Sequence, residues 1–583
     1  MFKRCIIIIF IFTNLFSQEM PGEPHIAWMT TEYDGPVSIS ISWDMWWGEN
    51  GGHWKLIENS NNIFESSLIS DSPNPQHDAT EIMLSSEGEY EYIVKLCNGI
   101  DDSEICNESN PIIITIGEEN DDGDDEGDDD GGDDPNLIFD KNIVGYYTSW
   151  SIYARNYEIA DIPVEKINII NYAFANIDPS SGTILLGDPY ADIDKFYPGD
   201  CWDADCLRGN FHQLQILKEN YSHLKTFISV GGWTWSTYFS DIAMTDESRT
   251  IFAESCVDFI VEYGFDGIDI DWEYPVEGGL EGNHNSPDDK ENFTLLLQKI
   301  RELLDSQGSN DGKYYLLTIA STASPFYVEN IEVDLIHEYL DWINIMTYDL
   351  HGPWGGEINA VTNFHSPLYF VEDDPSPEPV NTTFNLDAAV QLYLDLGVPH
   401  EKINAGLAFY GRSFSGVSNI NNGLFSPYTG VPDLGTWEDG VFDYWDLKNN
   451  YINLNNYTSY WHSEAQVPWL YNPNTQIMIT YDDEESIYEK ASYIIDKDIG
   501  GAMFWEFSGD KYSDLLNQVY DAFSIDEDIM GDLNQDGNLN VMDVVLMVNF
   551  VLDNNYDFYA DMNEDSVINI LDIVELLNLI LLG

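Results

Sequence analysis

The 583-residue chain reads as a multidomain protein: a (β/α)8 barrel with an α+β insertion, preceded by a β-sandwich and followed by an EF-hand-like pair of loops. Three observations predict this. Between Asn136 and about Ile525, eight short apolar runs alternate with helical patterns; residues 20–116 hold short alternating runs broken by Gly, Asn, Asp and Ser; and residues 530–583 repeat one spacing of oxygen-bearing side chains twice.

The first 17 residues are expected to be a secretory signal peptide. Lys3 and Arg4 precede an apolar run from Cys5 to Phe16, and Phe-Ser-Gln follows near Ser17. The run is too short to span a bilayer, and Cys5 stands before it rather than at a lipid-attachment position. Cleavage near Ser17 predicts an exported protein with no membrane span.

Residues 20–116, with runs such as Val37 to Trp43 and Tyr90 to Leu96, predict a small antiparallel sandwich of the immunoglobulin or fibronectin III kind. Cys97 and Cys106, and further on Cys201 and Cys206, are close pairs that suggest local disulfides in an oxidising compartment. Zinc is the rival, disfavoured because neither pair has a two-residue gap or neighbouring histidines. Cys256 falls on a predicted helix as a core thiol. Residues 117–136 are an acidic linker: the stretch from Glu118 to Asp134 has almost only Asp, Glu and Gly, buries no apolar area and repels itself. It lacks the regular spacing of an acidic calcium-binding repeat.

The barrel is expected over residues 137–525. Its runs are Ile143 to Tyr147, Ile167 to Ala173, Thr226 to Val230, Gly267 to Asp271, Tyr315 to Ala320, Trp342 to Met346, Ile403 to Ala408 and Gly501 to Trp505. Residues from about 413 to 476, rich in Tyr, Trp, Asn and Gly, are too long for an ordinary loop and predict the inserted subdomain. In the fourth run Asp269, Asp271 and Glu273 alternate with Ile268, Ile270 and Trp272, so on a strand the three acids share one face. An exposed antiparallel strand would show the same alternation. Upstream, however, Phe252, Cys256, Phe259, Ile260 and Tyr263 recur at helical spacing and Gly264 offers a stop; helix followed directly by strand argues for a buried parallel sheet. Buried acids are costly, which points to chemistry.

In the last segment, positions one, three, five, seven, nine and twelve of two loops are Asp532, Asn534, Asp536, Asn538, Asn540 and Asp543, then Asp561, Asn563, Asp565, Val567, Asn569 and Asp572. All but Val567 carry side-chain oxygen, and each loop runs into an apolar helix. Calcium is the expected ion. Across the chain, 104 Asp plus Glu against 22 Lys plus Arg give a formal charge of -82, which repels phosphate backbones and anionic lipid; nucleic acid is excluded as a natural partner.

The barrel resembles the chitinases of glycoside hydrolase family 18. The residues that carry the resemblance are Gly145-Tyr-Tyr147, Asn171-Tyr-Ala-Phe174, Ser229-Val-Gly-Gly-Trp233, Asp266 through Glu273, Met346-Thr-Tyr348-Asp349, Ala408-Phe-Tyr410-Gly-Arg412 and Gly501-Ala-Met-Phe-Trp505. The resemblance implies hydrolysis of β-1,4-N-acetylglucosaminide bonds with retention, the substrate's own N-acetyl oxygen attacking the anomeric carbon without a catalytic cofactor. It implies that Glu273 is the general acid and then the base, that Asp271 holds the acetamido N–H, that Asp269 shares a proton with Asp271, and that Tyr348 donates to the acetyl oxygen. It also implies a cleft lined by Tyr147, Phe174, Gly231, Trp233, Tyr274, Met346, Asp349, Tyr410 and Arg412, with Trp505 as the floor of the cleaved subsite. Chitin and chitooligosaccharides are the expected substrates; an endo-β-N-acetylglucosaminidase acting on N-glycans and a chitin-binding lectin are the alternatives.

The insertion resembles the subdomain that walls deep-grooved members, ending in Trp469-Leu-Tyr-Asn-Pro473. The sandwich resembles the N-terminal domain of bacterial chitinase A through Pro21 to Trp28, Ser42 to Trp46 and Leu96-Cys97-Asn98, making Trp28 and Trp46 candidates for leading a chitin chain. The C-terminal pair resembles a type I dockerin, which implies a cohesin-bearing partner and attachment to a scaffold or surface. Ser566 replaces the second loop's glycine, and the positions expected to meet the partner, Val541, Met542, Ile570 and Leu571, are apolar.

Overall fold

The structure is a computed structural model. It describes residues 25–32, 37–45, 50–59, 61–68, 76–84, 88–98, 105–109, 112–116, 139–197, 200, 201, 206–524, 531, 533, 539, 541–553, 559, 560, 562 and 567–582, with the backbone alone at 25–32, 37–40, 42, 44, 61, 76–79, 81, 83, 84, 88, 89, 91, 113–116, 541, 542, 549, 552, 553, 575, 578, 581 and 582. The expected signal peptide, the acidic linker and Trp46 lie outside the described residues, as does the Trp28 side chain. The chain divides into two units, Met1–Asp128 and Asp129–Gly583.

The first unit holds two antiparallel sheets. His25–Glu32, Val37–Met45 and Gln76–Leu84 form one, with Val37–Met45 central. In the other, Gly88–Asn98 pairs with His53–Glu58, Ile105–Glu108 and Ile112–Ile116, and Asn61–Ser67 borders His53–Glu58. Two-residue spacing puts Ile41, Trp43 and Met45 from one sheet against Trp54, Leu56, Val94 and Leu96 from the other, all buried. Cys97 and Cys106 are register partners and are disulfide-linked.

In the second unit eight parallel strands close on themselves: β1 Asn142–Thr148, β2 Ile169–Ile177, β3 Lys225–Gly231, β4 Gly267–Asp271, β5 Leu316–Thr322, β6 Trp342–Met346, β7 Ile403–Ala408 and β8 Gly501–Trp505. β8 pairs with β1, and β1 with β2, which completes the barrel. Strands buried on both faces read as continuous apolar runs, which is why all eight were visible in the sequence. The helix Asp246–Tyr263 is capped at its start by Thr245 and stopped by Gly264 at φ 78°. Its Phe252, Cys256, Phe259 and Ile260 share one core with Ile268, Ile270 and Trp272 of the β4 segment. That packing turns the acids to the barrel interior. Burial pushes the Cys256 thiol up, so it stays neutral. Cys201 and Cys206 are also disulfide-linked.

The insertion is a five-stranded antiparallel sheet in the order Val441–Asp443, Tyr410–Phe414, Ile477–Thr480, Val467–Asn472, Thr458–His462, with the helix Tyr444–Asn450. It reaches a few residues beyond 413 and 476 at both ends, because its first strand leaves β7 after one residue. At the C-terminus, helices Val541–Asp553 and Ile570–Leu582 meet around Met547, Ala560 and Leu576.

Candidate active site

Along β4 the acids rise from the barrel centre to its C-terminal mouth. Asp269 is fully buried and takes three hydroxyl donors, Tyr146 and Ser229 on one oxygen and Thr318 on the other, each at 2.7 Å. Burial raises its pKa, and those hydroxyls oppose the rise. Asp271 is 4% exposed, and its Oδ1 has no hydrogen-bond partner among the described residues. Burial, then the neighbouring charges of Glu273 and Asp269, push its carboxyl well above the ordinary range. Glu273, two residues on, is 9% exposed and is pushed up to about 7 by burial and by Asp349's charge, against a hydrogen bond from Tyr274. The pair therefore retains a proton near neutral pH. The backbone here is braced: the Glu273 N–H donates to Ser236 Oγ, which itself donates to the Gly232 and Asp271 carbonyls, while Asn283 donates to the Glu273 carbonyl.

Asp271 and Glu273 open into a cleft of about 1280 Å³ at the ends of the strands. Phe174 and Trp505 form stacked faces 5.7 Å apart and 19° from parallel, and Tyr146 leans on Trp505 at 5.5 Å. Trp233 stands half exposed at the rim, and Tyr274 stacks on Tyr327 at 4.8 Å. Met346, Tyr348 and Asp349 enter from the end of β6, and Tyr410 and Arg412 from the first strand of the insertion. Arg412 grips both oxygens of Asp349, at 2.8 and 2.5 Å. Burial works against the Asp349 charge, but Arg412 and His365 hold its carboxyl far below the usual range, so it is an anion throughout the neutral range. Among the described residues the Tyr348 hydroxyl meets only the soft Met503 sulfur, at 3.5 Å.

Asp271, Glu273, Tyr348 and most of the residues expected to line the cleft are thus brought together, with three corrections. Tyr147 points outward: it is fully buried among helix-facing residues and donates to the Tyr157 carbonyl, and its neighbour Tyr146 takes the interior place. Adjacent strand residues face opposite sides, so only one of the two tyrosines can enter. Gly231 does not line the cleft; at φ 108° it lies under it, where a Cβ would meet the Asp271 carbonyl oxygen at 2.3 Å. No hydrogen bond joins Asp269 to Asp271 among the described residues: Asp269 is satisfied by hydroxyls, and its charge helps to raise the Asp271 carboxyl.

Sequence reasoning missed a second wall. Arg155 lies 3.5 Å from Asp443 and 3.6 Å from Glu506, and its guanidinium sits 5.5 Å from the centre of the Trp437 ring, whose N–H donates to Asp443. Trp150, Trp354 and Phe326 add exposed aromatic faces. Their only sequence signal was composition, Trp and Tyr dense in loops that follow strands.

In the C-terminal segment Asp543 and Asp572 are fully buried and accept backbone N–H groups from Leu533 and Asn569. Buried carboxylates at the twelfth position of both loops suit a calcium ion, whose ligands are oxygens. Asn569, whose backbone N–H reaches Asp572, donates its side-chain amide to the Val567 carbonyl; Asp532, Asn534, Asp536, Asn538, Asn540, Asp561, Asn563 and Asp565 lie outside the described residues. No helix among the described residues is long and apolar enough to cross a membrane.

Comparison with known proteins agrees with this architecture. The sequence model of glycosyl hydrolases family 18 matches residues 142–510, that of the chitinase A N-terminal domain residues 29–125, and that of the dockerin type I domain residues 530–581. Chitinase A1 of Niallia circulans is 48% identical over 410 residues, 65% of this chain and 58% of the relative, so the chain spans less than two thirds of that protein. Endochitinase 1 of Metarhizium robertsii is 37% identical, covering 65% of this chain and 84% of the relative. Among solved structures, chitinase ChiA74 from Bacillus thuringiensis superposes with a TM-score of 0.62 at 43% identity, over 66% of this chain and 69% of that one.

Proposed function

This chain belongs to glycosyl hydrolase family 18, and we propose that it is a secreted chitinase that cleaves β-1,4 bonds between N-acetylglucosamine units by substrate-assisted retention. The observation that carries the reading is the pairing of Glu273, whose carboxyl burial lifts to about 7, with an Asp271 oxygen that has no hydrogen-bond partner among the described residues. A buried acceptor left unpaired is costly, and an acetamido N–H in the cleft satisfies it. Asp271 then orients the acetamido group and stabilises the positive charge that develops as its oxygen closes on the anomeric carbon. The Tyr348 hydroxyl, held only by a sulfur, turns to donate to that oxygen. Glu273 gives its proton to the glycosidic oxygen and, once the leaving sugar departs, takes one from the incoming water.

The Trp505 and Phe174 faces suit the apolar sides of pyranose rings. The cleft exceeds the roughly 300–1,000 Å³ typical of small-molecule pockets, which supports an oligomeric substrate. Residues 530–583 act in this reading as a calcium-folded dockerin with a cohesin-bearing partner, with Asp543 and Asp572 closing the two loops and the ion supplying the folding energy of the module. The signal-like N-terminus and the two disulfides support export.

The test is proton NMR on fresh digests of N-acetylchitohexaose by the full protein and by Glu273→Gln. Immediate β-anomer products that vanish in the variant are expected. Fresh α-anomers overturn the retaining route, and an inert parent protein moves the reading to a glycan-core enzyme or a lectin.

A further inference from the structure

The segment after β6 carries Tyr348 and Asp349 into the cleft, and what braces it lies beneath, outside the cleft. Asp482 and Lys490, the latter in the helix Glu484–Asp496, form an ion pair with both side chains completely buried, the ammonium 2.6 and 2.7 Å from the two carboxylate oxygens. The same ammonium donates to the Ser366 carbonyl at 2.7 Å and to the Ser366 hydroxyl at 2.8 Å. That hydroxyl, which accepts from Lys490, donates its own proton to the Thr347 carbonyl at 2.9 Å. Thr347 immediately precedes Tyr348. On its other side Thr347 Oγ1 donates to the Gly406 carbonyl of β7 at 2.6 Å, and a Cβ on Gly406 would lie 2.9 Å from the Tyr348 ring and 3.0 Å from the Thr347 nitrogen.

Tyr348 therefore stands on a peptide fixed from two directions: a bare glycine below, and a hydroxyl whose orientation is set by a buried cation. Stability alone is a poor reason for such an ion pair, since well-packed apolar residues of similar volume commonly do as well or better. What an apolar pair cannot supply is directed donation. An ammonium offers donors only, so the Ser366 hydroxyl has one sensible direction left for its proton, toward Thr347. Asp482 keeps the cation charged in a dry site, and Ser486 helps by donating to the same Asp482 oxygen at 2.7 Å.

We propose that Lys490 and Asp482, acting through Ser366, are positioning residues that set the height and angle of the Tyr348 hydroxyl over the reacting acetamido group. This rests on the reading that Tyr348 meets that group. Neither residue touches substrate. Misplacement of a catalytic group by a fraction of an ångström is felt in turnover rather than in binding of the whole oligomer.

The experiment is a coupling cycle on the full chain with N-acetylchitohexaose. Ser366→Ala keeps the ion pair and deletes one hydroxyl; its expected effect is a fall in kcat of about tenfold with KM changed less than about threefold. Tyr348→Phe is measured beside it, and the double variant is expected to lose no more than Tyr348→Phe alone, because both changes act on one contact. Losses that add, or a folded Ser366→Ala with kcat within about twofold of the parent, overturn the proposal. If Tyr348→Phe itself costs nothing, the reading of Tyr348 falls and takes the positioning role with it. A second variant, Lys490→Met with Asp482→Leu, is expected to fold and to show the same fall in kcat. A folded version with parental kcat removes the ion pair from the argument; should it not fold, the Ser366 cycle decides.

Discussion

Raising the pH from 6 to 8 should cost the enzyme about tenfold in kcat/KM, and the size of that loss follows from the surroundings of Glu273. Burial, with Asp349's charge behind it, lifts the Glu273 carboxyl from 4.5 to about 7. An ordinary glutamate would be only about 0.3% protonated at pH 7, while one at about 7 is half protonated, a gain of about 150-fold in the acid form. From pH 6 to pH 8 the acid fraction falls from about nine-tenths to about one-tenth, which gives the tenfold loss. The assay is the initial rate of N-acetylchitohexaose cleavage at substrate well below KM, where the profile reports the free enzyme. Tyr274→Phe adds a directional check. The Tyr274 hydrogen bond lowers the Glu273 pKa, so its removal should move the basic limb to higher pH. A limb near 4.5, a flat profile from 6 to 8, or a Tyr274→Phe limb at lower pH would each refute the assignment.

The same shift bears on stability. A carboxyl whose folded pKa is raised contributes fully below its unfolded value of 4.5, and that contribution is lost as pH rises through about 7; at pH 8 the loss is about 3 kcal/mol. Glu273→Gln, which cannot ionise, should therefore melt above the parent at pH 8 by calorimetry and show little difference at pH 4; equal melting at both would count against the raised pKa. Replacing Cys97 and Cys106, nine residues apart, with alanines should cost the sandwich about 3 kcal/mol in urea unfolding while leaving cleavage of the soluble hexamer unchanged. Chelation with EGTA should melt the two C-terminal helices, seen as a loss of helical circular dichroism that calcium restores, with hexamer cleavage unaffected; helicity indifferent to EGTA would remove calcium from the C-terminal segment.

The barrel was legible in the sequence because each strand is a short, largely apolar run between helical patterns, β4 alone interrupting its run with acids at every second position. The bounds of β4, β6, β7 and β8 coincide with the runs themselves. The acids were legible for a sharper reason: period two along β4, together with a helix that stops at Gly264, leaves only one face on which Asp269, Asp271 and Glu273 can lie. The choice between Tyr146 and Tyr147 was not legible. Both faces of β1 are buried, so interior and exterior positions look alike in composition, and only the closed sheet assigns them.

What the sequence by itself determined is therefore what local periodicity controls: eight strands, the face that bears the carboxylates, a twice-repeated spacing of oxygen-bearing residues, and the boundaries between unlike compositions. What only the tertiary structure decided is everything that depends on convergence of distant segments. Arg155, Asp443 and Glu506 meet in one wall although nearly 290 residues separate the first two, and Lys490 reaches Ser366 across 124 positions. The proton held near neutral pH by Glu273 belongs to the same class. Its pKa is set by the closed barrel that excludes water and by Asp349, brought beside it from the end of another strand, and neither exists until the chain has folded.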